Sequence, residues 1–165
     1  MIISKTLATA FGVGLAVIAL AVAGIFYVQR GAHLELNGKV LKVRTVPLDE
    51  NSSLAAIDFR VSDPSDYPFQ VRSVTVILED SSGNGAEGQT ASEMDTRRVF
   101  AGIPLLGQQY NDVLKERDRV GAHASADRMV MARFEVPESK LEGRRRFLLR
   151  IEEVDGLVSE IKETR

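Results

Sequence analysis

An uncharged apolar run at residues 7–28, LATAFGVGLAVIALAVAGIFYV, is the feature that most constrains how this chain can fold. A helix rises about 1.5 Å per residue, so the run would extend for about 33 Å, against a bilayer hydrocarbon core of about 30 Å. Because hydrocarbon offers no water to the backbone, a spanning segment must pair its own N–H and C=O groups, which predicts a helix. The sequence therefore predicts an N-terminal tail and transmembrane helix at residues 1–30, with the span at residues 7–28.

A cleaved secretory signal is the alternative interpretation of the same run. Residues 1–5 would form its charged start, and Ala21-Val22-Ala23 would form a cleavage site with small residues at both ends. However, the apolar character continues through residues 25–28, and the run is longer than the about 7–15 residues of a usual signal core. An uncleaved signal anchor, held in the lipid bilayer, is the favoured interpretation.

Small residues recur along one side of the predicted span, at Ala8, Gly12 and Ala16. A spacing of four residues places them on one helix face, where a second helix could approach closely. Glycine is also frequent in membrane helices generally, so the same residues are explained without a partner. These three positions are candidates for helix packing.

The basic residues near the span bear on its orientation. Lys5 precedes the span, whereas Arg30, Lys39, Lys42 and Arg44 come after it, and the positive-inside rule would then keep the domain in the cytoplasm. Long folded domains are largely exempt from that rule, and a short N-terminal tail is typical of an anchor that exports the domain attached to it. We therefore expect an extracytoplasmic domain.

Charge and cysteine content limit the function of residues 31–165, which we expect to form one domain. All 23 acidic residues lie there, with all 21 basic residues except Lys5 and Arg30, so the domain is acidic overall. Nucleic-acid-binding domains carry a basic excess, so we expect no nucleic-acid partner. The chain contains no cysteine, which excludes disulfide bonds and an acylated lipoprotein cysteine, and the core must supply the stability.

Alternation of apolar and polar residues predicts antiparallel strands through this domain. The pattern is clearest at residues 54–62, where Ile57, Phe59 and Val61 face one way. Further strands are predicted at residues 34–46, 69–80 and 128–136, and a hairpin is predicted at residues 147–161 with its turn at Asp155-Gly156.

Two of these strands are irregular. Residues 34–46 fit either a hairpin that turns at Asn37-Gly38 or one bulged strand. In residues 69–80, Val71 is out of phase with Val74, which predicts a bulge near Arg72-Ser73.

Residues 89–126 break the strand pattern and predict a partly helical insertion. The sequence Ser92-Glu93-Met94-Asp95 resembles a capping box at the start of a helix, and Gly102, Pro104 and Gly107 would interrupt it. In residues 110–117, Tyr110, Val113, Leu114 and Arg117 recur at helical spacing, which predicts a second helix. The alternative is a charged edge strand at residues 113–120.

The insertion is the best candidate for a protein contact, because it combines arginines with aromatic and apolar residues, a mixture enriched in binding hot spots. The alternative is that the apolar members cap one end of the β domain while the arginines are solvated. The candidate interaction surface comprises Arg97, Arg98, Phe100, Leu105, Tyr110, Arg117 and Arg119.

A basic run at residues 143–146 offers a second surface hypothesis. Its arginines could contact anionic lipid headgroups, at about 1 kcal/mol for each charge near the membrane. Nearby acidic residues, including Glu138 and Glu142, dilute that charge, so a solvated loop is the favoured interpretation.

The residue types needed for catalysis are sparse. The chain has two histidines, His33 and His123, without the paired spacing or the cysteines of a zinc site. His123, Ser125 and Asp127 match the residue types of a catalytic triad, but such close neighbours cannot converge as separate elements do. We therefore expect that the protein is not an enzyme and that it binds no cofactor.

One turn resembles the start of a calcium-binding loop. Asp80, Ser82 and Asn84 occupy alternate positions, and Gly85 comes directly after them. Ala91 stands where the bidentate glutamate of such a loop is required. We therefore expect an ordinary turn and no metal site.

Four short motifs resemble parts of two related families. They are Asp63-Pro64, Tyr67-Pro68-Phe69, residues 79–83 and residues 133–137. The first three resemble both the water-stress and hypersensitive-response domain of late-embryogenesis-abundant type 2 proteins and the immunoglobulin-like domains of unknown function carried by many anchored bacterial proteins. Residues 133–137 resemble the second of these families. The resemblance spans about residues 35–162 and implies an antiparallel immunoglobulin-like β-sandwich without established catalysis or known site residues.

The sequence thus predicts a mainly β protein: one transmembrane helix, then an immunoglobulin-like β-sandwich at residues 31–165 with an insertion at about residues 89–126. The expected function is a non-enzymatic accessory or assembly subunit that contacts other proteins of a membrane complex. The alternatives are an independent surface-anchored domain that binds a ligand or protects against stress, and a sheet edge that accepts a peptide strand.

Overall fold

The apolar run forms helix α1, Lys5–Val28, in a computed structural model that describes residues 5–28 and 34–164. The chain divides into two units, Met1–Ala32 and His33–Arg165, and each is described by itself. Within α1, Thr9–Tyr27 is long and apolar enough to cross a membrane, and the side chains along this stretch are exposed. The predicted helix is therefore confirmed as a helix.

The candidate packing residues of α1 have no observed partner helix against which to test them. Gly12 and Ala16 are exposed, and among the described residues nothing lies within 4 Å of a Cβ built at Gly12. The side chain of Ala8 lies outside the described part of the chain. Helix packing at these positions stays a prediction.

The second unit consists mainly of β-strands. The strands are β1 (Asn37–Pro47), β2 (Ser53–Ser62), β3 (Phe69–Glu79), β4 (Gly85–Thr90), β5 (Arg119–Val120), β6 (Ser125–Phe134), β7 (Arg146–Glu153) and β8 (Val158–Lys162). The helical segments are α2 (Glu93–Gly102), a 3₁₀ turn (Pro104–Leu106) and α3 (Glu138–Glu142).

The strands form one curled antiparallel sheet in the order β1-β2-β6-β4-β3-β7-β8, and β5 pairs with β3. Strand β4 turns the corner, because it pairs with β3 through residues 85–88 and then with β6 through Gln89 and Thr90. The sheet consequently has two halves, β1-β2-β6 and β3-β7-β8, which enclose the main core.

The main core is built from the inward faces that the period-two pattern predicts. Ile57, Phe59 and Val61 of β2 are fully buried, and the rings of Phe134 and Phe147 bring β6 and β7 together with centroids 5.7 Å apart. The predicted strands at residues 54–62, 69–80 and 128–136 and the C-terminal hairpin are confirmed.

The two ends of the curled sheet approach each other. The Leu36 backbone N–H donates to Ser159 Oγ at 2.8 Å, and a Cβ built at Gly38 would lie 2.5 Å from Ile161 Cδ1. The same Cβ would lie 2.7 Å from the Arg60 carbonyl oxygen, a backbone atom of the paired strand β2, so glycine is required at this position. Leu141 of α3 is fully buried in the main core beside this closure.

The structure settles the irregular strands. Strand β1 begins at Asn37 and bulges between Val40 and Lys42, so the alternative hairpin at Asn37-Gly38 is wrong and the bulged strand is right, with its bulge displaced along the chain. The predicted bulge of β3 is confirmed, since the register with β7 shifts between Val71 and Ser73.

The insertion is partly helical, although its second predicted helix is wrong. Residues 110–117 form neither a helix nor a long edge strand, and only Arg119–Val120 pairs as a strand. Their backbone groups bond to distant strands instead: Leu114 N–H donates to Met129 O, and Arg117 N–H donates to Val71 O, each at 2.8 Å. The sequence analysis does not predict strand β4, which precedes the expected insertion and overlaps its first two residues.

Candidate functional site

The insertion covers the outer face of the β1-β2-β6 half of the sheet. We call residues 91–114 the insertion layer. Under it lies a second core that includes Leu54, Met129 and Met131 from the strands and Leu106 and Val113 from the layer. Strand β2 is consequently buried on both of its faces, and the layer is fixed to the sheet by apolar packing.

Helix α2 begins where the capping pattern predicts. Ser92 is the N-cap, and its hydroxyl oxygen accepts the Asp95 backbone N–H at 3.1 Å. Glu93 and Asp95 in the first turn suit the positive end of the helix dipole. The helix ends at Gly102, just before Pro104, so its position along the layer is set by local sequence.

A buried ion pair joins the layer to two strands. Arg44 Nη2 of β1 lies 2.8 Å from Asp58 Oδ2 of β2, and both side chains are almost fully buried. Arg44 Nη1 donates to the carbonyl oxygens of Leu106 and Gln108, each at 2.7 Å, and Asp58 Oδ1 accepts from Asn111 Nδ2 at 2.8 Å. One guanidinium thereby ties β1, β2 and the layer together.

Two predicted surface residues hold this guanidinium between their rings. The Arg44 guanidinium carbon lies 5.1 Å from the ring centroid of Phe100 and 5.0 Å from that of Tyr110. Lys42 Nζ lies 4.8 Å from the Tyr110 ring. Part of the aromatic surface expected for a partner is thus used inside the domain, through cation–π contacts.

The outward side of the layer is both apolar and basic. Leu105 is 85% exposed, Met94 64% and Tyr110 60%. The Arg97 and Arg98 side chains are also exposed and pair within α2, with Glu93 and with Asp95. Five of the predicted residues, Arg97, Arg98, Phe100, Leu105 and Tyr110, therefore belong to this layer.

The remaining two predicted residues lie elsewhere. Arg117 has a positive φ of 68° and bonds through its N–H to Val71 of β3, and Arg119 in β5 pairs with Gln70. They are attached to the β3-β7-β8 half of the sheet, whereas the layer covers the other half. The sequence grouped them with the layer because they are close to it along the chain.

A cleft of about 490 Å³ opens where β3 and β4 separate. Its floor includes Leu114 and Val130 of the main core and the half-buried Val74, which packs against that core. The rest of the lining comprises Ser73, Thr90, Ala91, Ser92, Glu93, Val113, Lys115 and Glu116. An apolar floor with a polar rim and this volume are typical of ligand pockets in proteins.

An ion pair joins opposite sides of the cleft rim. Lys115 Nζ lies 2.7 Å from Glu93 Oε2, and Glu93 also pairs with Arg97. The hydrogen bond from Lys115 lowers the pKa of Glu93, and the same bond raises the pKa of Lys115. Both groups are therefore charged at neutral pH and keep the start of α2 close to the segment after Val113.

The basic run at residues 143–146 is paired within the domain. Arg144 and Glu163 form a buried pair at 2.5 Å, and the Arg144 guanidinium lies 4.5 Å from the Phe147 ring centroid. Arg145 and Arg146 both pair with Glu79. These contacts pair the positive charges of the arginines within the domain, so contact with lipid is not needed to explain them.

The remaining polar candidates form turns and a surface pair. Asp80 Oδ1 accepts the N–H groups of Ser82 and Asn84, which makes a turn of the calcium-like motif. His123 Nε2 lies 3.1 Å from Asp66 Oδ1 at the surface. Within residues 5–28 and 34–164, no group of three His, Cys, Asp or Glu side chains is placed to hold a metal ion.

Set against protein-family models, curated proteins and solved structures, the chain matches none. Its function must therefore be inferred from its own residues and contacts.

The sequence prediction missed the Arg44–Asp58 pair, because Asp58 alternates with the core residue Ile57, and a charged residue in that position is typical of a solvated strand face. A signal for the buried outer face was present. Ala56 shares that face of β2, and Met129 and Met131 occupy the matching face of β6. Apolar residues on both faces of two paired strands indicate a second covering layer.

Proposed function

We propose that the protein is a non-enzymatic, single-span membrane protein whose β domain contacts partner proteins as an accessory or assembly subunit. Helix α1 carries this proposal, because its apolar side chains from Phe11 to Tyr27 are exposed over a length that matches a bilayer. Water disfavours such a surface, and a bilayer would cover it. We propose that the β domain lies outside the cytoplasm, since a long folded domain is translocated largely regardless of the basic residues that it carries.

The insertion layer is the proposed contact surface. Leu105 is held outward by a short turn whose next residue, Leu106, is fully anchored in the second core. Because the turn fixes the backbone of Leu105, binding would order only its side chain, which limits the conformational entropy lost. Exposed Arg97 and Arg98 beside it supply the arginines that are enriched at binding hot spots.

We also propose that the curled sheet is a variant of the immunoglobulin-like sandwich implied by the family resemblance. Two sheet halves that pack over one core support this assignment. An experimental structure could be superposed on immunoglobulin-like domains, and failure of the strands to align in order would reject it.

Crosslinking in intact membranes tests the proposed contact. A photoreactive residue at Leu105 should capture a discrete partner, and the same residue at Asn84, in an exposed turn of the β3–β4 hairpin, should not. Solubilisation in mild detergent should give a particle larger than one 18.1 kDa chain with its micelle. A lone chain together with no crosslink at Leu105 would reject the assembly role.

An independent ligand-binding or stress-protective domain is the second candidate, and the cleft of about 490 Å³ favours it. The full-length chain would then remain a monomer in mild detergent and bind a small molecule in the cleft. A small-molecule screen read by thermal shift, with a Val130→Phe variant that fills the floor, separates this function from the assembly role.

A further inference from the structure

Strands β3 and β4 are paired at their hairpin and separate at the other end. Their ladder runs from Glu79 and Gly85 to Val76 and Gly88, after which β4 pairs with β6. The Asp80 N–H donates to Asn84 O at 3.0 Å, so the backbone N–H and C=O of Asp80 point toward β4. Alternate residues of a strand share that side, so Val76 and Val74 also direct their N–H and C=O groups toward β4.

Val74 lies beyond the end of that ladder. Further along β3, both backbone groups of Val71 are bonded, since its N–H donates to Asp118 O and its C=O accepts the Arg117 N–H. In the described part of the chain, no strand pairs with β3 between Val71 and Val76 on this side. The polar backbone groups of Val74 therefore face the cleft.

Strand β4 presents the matching groups from the opposite wall. Gly88 bonds toward β3, so Thr90, two residues later, directs its N–H and C=O the same way, whereas the Ala91 N–H donates to Met131 O at 2.8 Å on the β6 side. Val74 and Thr90 both line the cleft. The edge of β3 at Val74 and the edge of β4 at Thr90 thus face each other across the cleft.

The side chains around these edges define the chemistry of an occupant. Val74, Leu114 and Val130 form an apolar floor beneath the two edges. Glu116 on the rim is exposed, and no described residue forms an ion pair with its carboxylate. The floor suits a branched apolar side chain, and Glu116 suits a basic one.

We propose that this cleft binds an extended segment of a partner polypeptide as a short added strand between β3 and β4. The segment would hydrogen-bond to Val74 on one edge and Thr90 on the other, place an apolar side chain on the floor, and set a Lys or Arg beside Glu116. This inference rests on the proposed function and specifies how a partner protein is held. An extended chain fits because it offers N–H and C=O groups alternately to both of its edges.

The test uses the full-length chain in lipid nanodiscs, with empty nanodiscs as the control. The probe is a pool of heptapeptides that alternate Val, Ile or Leu with Thr and end in Lys, at concentrations up to about 1 mM. We expect at least one member to bind and to slow amide hydrogen exchange at Val74 and Thr90. The same peptide with alternate backbone nitrogens methylated should bind about tenfold more weakly, because it lacks the donors of one edge.

A charge substitution on the rim provides a second readout on a folded protein. Glu116→Lys should weaken binding of the Lys-ended peptide about 2- to 5-fold, as for an exposed ion pair. Glu50→Lys, an equally exposed change in the turn between β1 and β2, should leave it unchanged. Strand addition would be overturned if no peptide bound, or if the methylated peptide bound as tightly as its parent. It would also be overturned if a peptide bound without slowing exchange at Val74 and Thr90.

Failure of the added-strand proposal can be distinguished from failure of the proposed function. The peptide assay uses purified protein and the cleft, whereas the assembly role is tested by crosslinking at Leu105 in membranes. A Leu105 crosslink without peptide binding would reject only the added strand. Peptide binding by a chain that stays alone in mild detergent and gives no Leu105 crosslink would reject only the assembly role.

Discussion

At the residue scale, two buried ion pairs of the domain each make further hydrogen bonds. The Arg44–Asp58 pair also bonds two backbone carbonyls and Asn111, and the Arg144–Glu163 pair bonds the Leu141 carbonyl. Removing water from an ion costs several kcal/mol, so removing one member of such a pair is far more harmful than replacing both.

Arg44→Met should therefore lower the free energy of unfolding of the β domain by about 3–5 kcal/mol, because Asp58 would be left buried without its counter-charge. Urea unfolding of the full chain in detergent, followed by circular dichroism, measures this change. Lys42→Met removes a neighbouring but exposed cation from Tyr110 and should cost under about 1 kcal/mol. Arg44→Met combined with Asp58→Leu should recover part of the loss, and an equal or larger loss would contradict the proposed pairing.

Glu79 predicts a dependence of stability on pH. The hydrogen bond from Arg146 lowers the pKa of Glu79 below its ordinary value of 4.5. A carboxyl whose pKa is lowered by folding stabilises the folded state above its unfolded pKa, and this contribution disappears as the pH falls through the folded pKa. Glu79→Gln should thus destabilise the domain at pH 7 and have progressively less effect below pH 4.5.

Unfolding midpoints across a pH series measure this effect, and Glu87→Gln on β4 serves as the exposed control that should show little effect at any pH. A Glu79→Gln effect that stayed constant down to low pH would show that the carboxylate charge is not its cause.

At the scale of elements, β4 is the strand on which the curl of the sheet depends. It leaves β3 after Gly88, where a Cβ would lie 2.6 Å from Phe134 Cζ and 3.0 Å from Ala132 Cβ. The close passage of β4 over β6 therefore requires glycine at this position. The same divergence of β4 from β3 opens the cleft.

Gly88→Ala should consequently destabilise the domain by about 1–3 kcal/mol, since Phe134 or the strand must move. Gly102→Ala is the matched control, because it meets nothing within 4 Å among the described residues and ends α2 without a positive φ. We expect Gly102→Ala to be neutral or stabilising by up to about 1 kcal/mol. Urea unfolding of both variants measures the difference, and equal effects would contradict the close approach of β4.

At the scale of the whole molecule, an acidic β domain and an apolar helix occupy separate units of one chain. The helix presents its apolar side chains outward, whereas the β domain encloses its own in two cores. Burial of apolar surface thus occurs by internal packing in the β domain, whereas the exposed apolar surface of the helix suits the proposed membrane span.

Val17→Arg with Ile18→Arg should abolish membrane insertion, because each arginine near a helix centre costs about 2.5–3.5 kcal/mol. The parent chain should remain in the membrane pellet after alkaline carbonate extraction, and this variant should move to the supernatant. Val17→Leu with Ile18→Leu should behave as the parent. Release of the parent chain by carbonate would contradict a membrane span.

The proposed side of the membrane is also testable, since the chain has no cysteine. A single Cys introduced at exposed Asn84 should react with a membrane-impermeant maleimide in intact cells. Labelling only after the cells are lysed would place the domain in the cytoplasm.

The local features of the chain are predictable from its residues alone. The sequence predicts the apolar helix, the inward faces of β2 and β6, the bulge in β3, the capped start of α2 and the C-terminal turn at Gly156, whose φ is 90°. Each depends on side chains within a few positions of one another, through helical or period-two spacing, capping and backbone conformation.

The way in which these elements meet depends on contacts between distant residues and could not be predicted. Residues 110–117 have helical spacing, yet Leu114 and Arg117 bond to Met129 and Val71, which no local pattern specifies. The same holds for β4 as the corner strand, for Arg44 reaching Asp58 and the insertion layer, and for the cleft between β3 and β4. The physical reason is that these contacts join residues distant in sequence, and their free energy depends on which surfaces the folded chain brings together.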